Sequence, residues 1–392
     1  FVAKHISEGQ TTDCDVVIVA VGTPCEDGKI DLSFIENVSN TIARSIKDQE
    51  KFVSIVVKST VLPSTVDTFI RNIIEDLSGK KLGEFGLGMN PEFLREGIAV
   101  EDFLNPDRIV LGYDDQETLS RLEQLYKPFN CDKILVNTRT AEMIKYANNC
   151  LLATQISAVN ELANISSAIK NIDIMEVIKG VHSDKRWNPI DSSGGRVSPE
   201  ILTYLIPGCG FGGSCLPKDL KALQSQSMEY GVEPRVLKAV IQTNEQQPSQ
   251  VTKLLKESLG ELEGKSILVL GLAFKPGTED IRESVSINII QDLLEQNCFV
   301  NAHDPMAMEN MKEEFRNQRG LEFIDNWEDS LEHVDAVVIA TRWEEYQNLS
   351  NSEIKLKMKN KILLDARRLF SDKDFPESKY LTIGRTFNND RP

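Results

Sequence analysis

The stretch DVVIVAVGTP, residues 15–24, decides the fold. Its apolar run VVIVAV (16–21) is β-branched, strand-length and punctuated by Gly22-Thr23-Pro24, which predicts a buried strand. FVSIVVKST (52–60), FGLGMN (85–90) and RIVLG (108–112) repeat the pattern. Between them LSFIENVSNTIARSI (32–46) and TVDTFIRNIIEDL (65–77) carry helical spacing. Alternation of this kind predicts an α/β domain: a parallel sheet with helices on both faces. Ligands of such sheets bind at the carboxyl ends of the strands. Those ends carry VGTP (21–24), KST (58–60) and MNPEFLREG (89–97), more polar than strand punctuation requires. Glu92 and Glu96 stand four apart, so on a short helix they would share a face. One could serve as a base, or both could be a solvated surface pair.

A dinucleotide fold normally opens with a strand, G-x-G-x-x-G and a helix. The opening FVAKHISEGQTTD contains no such unit. The expectation is an N-terminally truncated form lacking its first βαβ; otherwise this lobe binds no dinucleotide in the usual way.

From Thr140 the pattern becomes one long helix of about 30 residues, roughly 45 Å at 1.5 Å per residue. Leu151, Ala158, Leu162, Ile165 and Ile169 recur near a 3.5-residue period, a packing seam suited to a dimer interface. Lys145 and Asn149 are four apart and stack on one helix side, where solvation alone would suffice to explain them. Beyond a loop-rich segment (181–208), GKSILVLGLAFK (264–275), FVNAHDP (299–305), DAVVIAT (335–341) and KILLDARR (361–368) predict a second doubly wound α/β domain. Its turn GLAFKPGTEDIRES has no G-x-G-x-x-G. Lys275, Arg282, Arg367 and Arg368 stand at strand or turn ends, suited to phosphate oxygens or simply to water. The expected domains are 1–137, an α/β unit truncated at its N-terminus; 138–250, the long helix with the cysteine loop; and 251–392, a second α/β unit.

That loop, PGCGFGGSCLPKDL (207–220), sets four glycines around Cys215. Dense glycine permits close approach to a ligand. Pro217 suits the first turn of a helix, which puts Cys215 at a helix N-terminus, where a thiolate is favoured. A nucleophile is one reading; a buried core thiol, or a disulfide or half a metal site with Cys209, are others. Two sulfurs alone do not close a zinc site, and no metal is expected.

The chain has 392 residues, 41% hydrophobic, and a net charge of −16. That charge disfavours a nucleic-acid surface. No apolar run approaches the roughly 18 to 20 residues of a membrane helix. Seven scattered cysteines fit a reducing, cytoplasmic setting.

VGTP (21–24), KSTV (58–61), NPEFLREG (90–97), PDRIVLG (106–112), Lys145/Asn149, GFGGSCLPKD (210–219) and GLAFKPGTEDIRESVS (271–286) together resemble the UDP-glucose/GDP-mannose dehydrogenase family of nucleotide-sugar dehydrogenases. The resemblance spans nearly the whole chain. It implies two Rossmann-like domains joined by a long central helix. It also implies a metal-free, four-electron oxidation of a sugar C6 alcohol to a carboxylate with NAD. By the same resemblance Cys215 is the nucleophile, Lys145 stabilises an oxyanion with Asn149 as its partner, Asp219 and Thr60 position a water, and Glu92 is the general base. Phe93, Leu94, Glu96, Lys145, Asn149, Tyr204, Gly208, Gly212, Lys275 and Arg367 would line the UDP-sugar pocket. Val21, Gly22, Thr23, Thr60, Glu96 and Arg282 would contact NAD. An arginine from the neighbouring subunit of a homodimer would reach the sugar, with Arg196 and Arg186 the candidates. The form Ser214-Cys215-Leu216-Pro217-Lys218-Asp219 favours UDP-glucose over UDP-N-acetylmannosamine or UDP-N-acetylglucosamine. A nucleotide-sugar-binding fragment without turnover is the expectation from another class.

Overall fold

The structure is a computed structural model that describes residues 14–26, 28–358 and 361–386; the opening segment read above for its missing glycine motif lies outside them. The chain divides into two compact units, one running to Cys150 and including Lys218–Pro234, the other comprising Leu151–Pro217 and the chain from Arg235.

The first unit is built from β1 (Val16–Val19), a hairpin of β2 (Cys25–Glu26) and β3 (Lys29–Ile30), α1 (Ser33–Ile46), β4 (Ser54–Val57), α2 (Arg71–Ser78), β5 (Gly86–Met89), α3 (Ala99–Leu104), β6 (Arg108–Tyr113), α4 (Gln116–Tyr126) and β7 (Asp132–Val136). Its sheet runs β1-β4-β5-β6-β7. Alternation along β4 divides the core, as a period of two requires. Ile55 and Val57 pack beneath Ile35, Ile42 and Ile74, whereas Val56 joins Leu111, Leu122 and Tyr126 on the other face. The sheet departs from the expected all-parallel one, because β5 and β6 pair antiparallel, Gly88 opposite Tyr113. The six-residue α3 between them buries none of its residues, so the chain turns back where a parallel crossover would need a helix buried against the sheet.

One helix, α5, runs from Thr138 to Ile169, and the division into units falls within it, after Cys150. Its part in the second unit buries Ala153, Val159 and Ala163. The predicted seam is the opposite stripe: Leu151, Leu162, Ile165 and Ile169 are 63%, 52%, 46% and 65% exposed, with Ala158 exposed among them. That stripe contributes nothing to the core of the unit.

After α5 come β8 (Ile172–Asp173), α6 (Ile174–His182), α7 (Leu216–Glu229, grouped from Lys218 with the first unit), α8 (Arg235–Gln246) and α9 (Ser249–Leu259). The second sheet then forms from β9 (Ser266–Leu270), β10 (Phe299–His303), β11 (Leu321–Phe323), β12 (Ala336–Ile339), β13 (Ile362–Asp365) and β14 (Lys379–Leu381), with α10 (Val285–Glu295) following β9. Its order is β11-β10-β9-β12-β13-β14, parallel throughout. A final β15 (Arg385–Thr386) returns antiparallel to β8. The direction of winding reverses between β9 and β12, the crevice where doubly wound sheets receive ligands. No helix among the described residues is long and apolar enough to cross a membrane.

Candidate active site

In the first unit the predicted residues gather at strand ends and on α5. Thr23, past the end of β1, donates its hydroxyl to the Thr60 carbonyl at 2.9 Å, and Ser59 donates to the Val21 carbonyl at 2.6 Å. These bonds clamp two adjacent strand ends. Between them Gly22 is exposed, and nothing lies within 4 Å of where a Cβ would stand. No side chain and no neighbouring atom therefore stands over the backbone at Gly22, which leaves it open to a ligand's close approach.

Lys145 and Asn149 are buried, 5% and 6% exposed, so solvation of a helix side does not explain them. The Lys145 ammonium meets Glu92 Oε1 at 3.0 Å. The other Glu92 oxygen accepts from the Leu94 amide at 2.7 Å. Asn149 donates to Asp219 Oδ2 at 2.7 Å, and Asp219 Oδ1 lies 2.8 Å from the Lys218 ammonium. A buried charge is tolerable only when paired, and both buried charges here are. Residues 91–97 are not helical, so the spacing of Glu92 and Glu96 places them on no common helix face; Glu96 sits exposed in a turn.

Phe93 lies under the Arg108 guanidinium, 3.9 Å from its ring centre, with the Lys145 ammonium at 5.4 Å. Two more residues of the unit had no role of their own from the sequence, Lys58 within the strand ending KST and Glu142 on α5. Lys58 donates to Asn90 Oδ1 at 2.8 Å; burial lowers its pKa, with Glu92 pulling the other way. Glu142, wholly buried, accepts from the amides of Ser64 and Val66.

In the second unit the glycine loop crosses the switch point. Cys209 N–H donates to the Ala366 carbonyl at 3.2 Å, and Arg367 donates to Gly210 O at 2.8 Å and Ala340 O at 2.7 Å. Gly213, at φ +88°, donates to Arg282 O at 2.9 Å, and a Cβ there would stand 2.7 Å from the Phe274 ring. A Cβ on Gly212 would meet the Glu283 carbonyl at 2.1 Å. Gly208 is buried, and Tyr204 is half-buried in the 3₁₀ turn Glu200–Leu205. Asp304, closing β10, is a buried carboxylate that accepts from the Leu272, Ala273, Met306 and Ala307 amides and from the Trp343 indole. It thereby shapes the Gly271–Lys275 turn, where Lys275 lies 5.4 Å from the Phe274 ring. The sequence presented Asp304 only as a strand ending.

Arg368 does not stand free for a phosphate: its guanidinium donates to the Ile383 carbonyl, and burial lowers its pKa. Arg282 is exposed and pairs with Asp280 at 2.6 Å. Arg186 pairs with Asp184 at 2.6 Å, and Arg196 donates to the Asn188 carbonyl at 3.2 Å; both are exposed.

All seven cysteines are free thiols, so Cys209 and Cys215 form no disulfide. Cys209 is buried, and burial raises its pKa. Cys215 is exposed and directly precedes α7. Among the described residues no cluster of histidine, cysteine or carboxylate could hold a metal ion.

Three domain descriptions match the chain, all of the UDP-glucose/GDP-mannose dehydrogenase family: the NAD binding domain over residues 2–130, the central domain over 139–246 and the UDP binding domain over 268–372. The UDP-glucose 6-dehydrogenase AglM of Haloferax volcanii is 38% identical over 369 residues, 92% of this chain and 81% of that protein. The UDP-glucose 6-dehydrogenase of Rickettsia bellii is 38% identical over 378 residues, 94% of this chain and 82% of that protein. A solved UDP-glucose dehydrogenase from the hyperthermophilic archaeon Pyrobaculum islandicum is 35% identical with a TM-score of 0.84, covering 98% of this chain and 83% of its own.

Proposed function

The chain belongs to the UDP-glucose/GDP-mannose dehydrogenase family, and on that premise we propose that it oxidises UDP-glucose to UDP-glucuronate with two NAD⁺, through a covalent intermediate on Cys215. NAD, when bound, accepts hydride. The rest of the chemistry belongs to the side chains. Glu92 takes the C6 hydroxyl proton as the first hydride departs, giving the aldehyde. The Cys215 thiolate adds to the aldehyde carbon, and the resulting thiohemiacetal oxygen takes up a proton. Loss of that proton and a second hydride gives a thioester, whose hydrolysis releases the carboxylate and restores the thiol. Covalent capture divides the oxidation and retains the reactive aldehyde.

Lys145 and Asn149 serve the oxygen that gains negative charge at each addition; a cation held in a buried site needs no reorganisation to do so. Asp219 and Thr60 orient the hydrolytic water. Lys275, Arg367, Phe93, Leu94, Tyr204, Gly208 and Gly212 form the UDP-sugar surface. Val21, Gly22, Thr23, Glu96 and Arg282 serve NAD. We assign the exposed stripe of α5 to a homodimer and Arg196 to the neighbour's sugar site. With seven free thiols, the cytoplasm is the proposed compartment.

The observation that carries the reading is Asp219, buried and held by Asn149, one helical turn along the chain from an exposed free thiol. The test is the yield of NADH per UDP-glucose consumed, for the chain and for Cys215→Ser. About two per sugar, lost in the variant, is the expected result for a thioester route. UDP-glucose binding without any NADH would overturn it. Faster turnover of UDP-N-acetylmannosamine or UDP-N-acetylglucosamine, measured alongside, would reassign the substrate.

A further inference from the structure

The glycine loop of the second unit is fastened by amides. Gly208 N–H donates to Asn160 Oδ1 at 2.9 Å, and its carbonyl accepts from Gln247 Nε2 at 2.8 Å. Phe211 N–H donates to Asn244 Oδ1 at 2.8 Å, and Asn244 Nδ2 returns a bond of 2.9 Å to the Phe211 carbonyl. Asn164 holds Gln247 in turn, donating to its Oε1 at 2.9 Å. Asn160 is 1% exposed and Gln247 0%, while Asn244 is half-buried. Asn160 and Asn164 lie one turn apart on α5; Asn244 and Gln247 lie three apart at the end of α8.

Glycines have no side chain by which to be anchored, and they leave the loop the greatest backbone freedom to lose. Fixing such a loop therefore requires partners for its backbone groups. A carboxamide is suited to this: it carries an acceptor and a donor side by side, without charge, and can pair N–H and C=O of one residue as a neighbouring strand would. Lysine or aspartate in the same places would supply one bond and bury a charge. The two amide-bound residues, Gly208 and Phe211, bracket the Cys209 and Gly210 contacts to the sheet ends and lie just ahead of Cys215.

We propose that Asn244, with Gln247 and Asn160, forms a positioning clamp that sets the glycine loop so that Cys215 meets the aldehyde, a role that rests on Cys215 being the nucleophile. The clamp's hydrogen bonds to the loop go to Gly208 and Phe211, not to Cys215. Its loss loosens capture and spares the first hydride transfer, which requires no sulfur.

The test compares wild type, Asn244→Ala and Gln247→Glu with UDP-glucose and NAD⁺, in the presence of an aminooxy reagent that traps free aldehyde. Gln247→Glu keeps the size and places an oxygen against the Gly208 carbonyl, so the pair probes the clamp even where one substitution harms folding. In either variant kcat should fall about tenfold to a hundredfold with KM for UDP-glucose within about threefold, the pattern of lost positioning. NADH per sugar should drop from about two toward one, with the trapped aldehyde making up the difference. A lower rate at an unchanged stoichiometry of about two, with no trapped aldehyde, would reduce the amides to structural roles and overturn the proposal. Wild-type rate and stoichiometry in both variants would do the same. A wild-type yield of about one NADH per sugar, with the aldehyde trapped, would instead defeat the Cys215 reading itself, which the control reveals separately.

Discussion

Asn149 donates a 2.7 Å hydrogen bond to the carboxylate of Asp219, tying α5 to α7 at a point 1% exposed to solvent. The second oxygen of Asp219 faces the Lys218 ammonium. The amide thus sits against a carboxylate in a dry place, where an unpaired polar group costs far more than at the surface.

Asn149→Asp turns that contact into two carboxylates competing for one site. Like charges so close repel, and the hydrogen bond that the amide donated returns only when the pair takes up a proton. The variant's kcat should fall about a hundredfold near neutral pH and recover in part as the pH is lowered, because added protons restore a hydrogen bond between the two. Initial rates of NADH formation across the pH range, beside Asn149→Ala, provide the check. A rate close to wild type at every pH would separate this contact from turnover.

Glu142 on α5 makes a prediction about stability. Burial pushes its carboxyl from an ordinary 4.5 up to about 8, while the amides of Val66 and Ser64 pull it down. The folded chain then keeps a proton that the unfolded chain sheds, so stability falls as pH climbs between those two values. Below the lower one both states are protonated and the contribution is whole; above the upper one it is gone. Glu142→Gln removes the ionisation. From about pH 5 to about pH 8 the wild-type Tm should lose several degrees relative to the variant, at roughly 2 to 4 °C per kcal/mol. If instead wild type gains on the variant over that window, Glu142 is ionised in the folded protein.

Glycines separate cofactor effects from folding effects. Gly22 has open space where a Cβ would go and no positive φ, so Gly22→Ala should leave Tm unchanged within about 1 °C. The added methyl would project onto the proposed dinucleotide surface, and KM for NAD⁺ should rise about tenfold with KM for UDP-glucose unmoved. Gly213 combines φ +88° with the Phe274 ring at 2.7 Å, so Gly213→Ala should lower Tm by several degrees and kcat with it. Steady-state kinetics and thermal melts on the two variants suffice. An unchanged KM for NAD⁺ in Gly22→Ala would remove Val21–Thr23 from the cofactor site.

What the sequence disclosed and what it hid divide along the range of the interaction. Strands such as Ser54–Val57 announce themselves because burial on both faces selects an unbroken apolar run. The cysteine loop does so because only glycine fits beside the Glu283 carbonyl and the Phe274 ring. The antiparallel pairing of β5 with β6 left no comparable mark, since strand direction depends on the path of a connection whose short helix buries none of its residues. Glu92 and Glu96 suggested a shared helix face that the backbone does not form. Asn244 reads like any polar residue at a helix end, because its partner Phe211 lies 33 positions away. Glu142 was equally silent, and Lys58 stood in KST without a role of its own; their meaning depends on burial, which residue type alone does not encode.

The seam on α5 yields the last prediction. Leu162 and Ile165 are large, aliphatic and about half exposed, with Leu151 and Ile169 extending the same stripe. Scattered exposed leucines are ordinary, but a stripe repeated at heptad spacing along one helix is what a second helix would bury. Fully burying an exposed side chain of this kind stabilises by about 1.5 to 3 kcal/mol, and these, already half covered, gain roughly half of that each, with the cost of association set against the sum. Leu162→Glu and Ile165→Glu together would leave two carboxylates facing their own images across the two-fold axis. Sedimentation equilibrium should give twice the chain mass of 44.0 kDa for wild type and the single mass for the double variant. The variant's melt should stay cooperative, since neither side chain belongs to the core of the second unit. If Arg196 of a neighbouring chain completes the sugar site, KM for UDP-glucose should rise in step with dissociation and fall again at high protein concentration. A monomeric wild type, or a double variant that remains dimeric, would assign the stripe to some other contact.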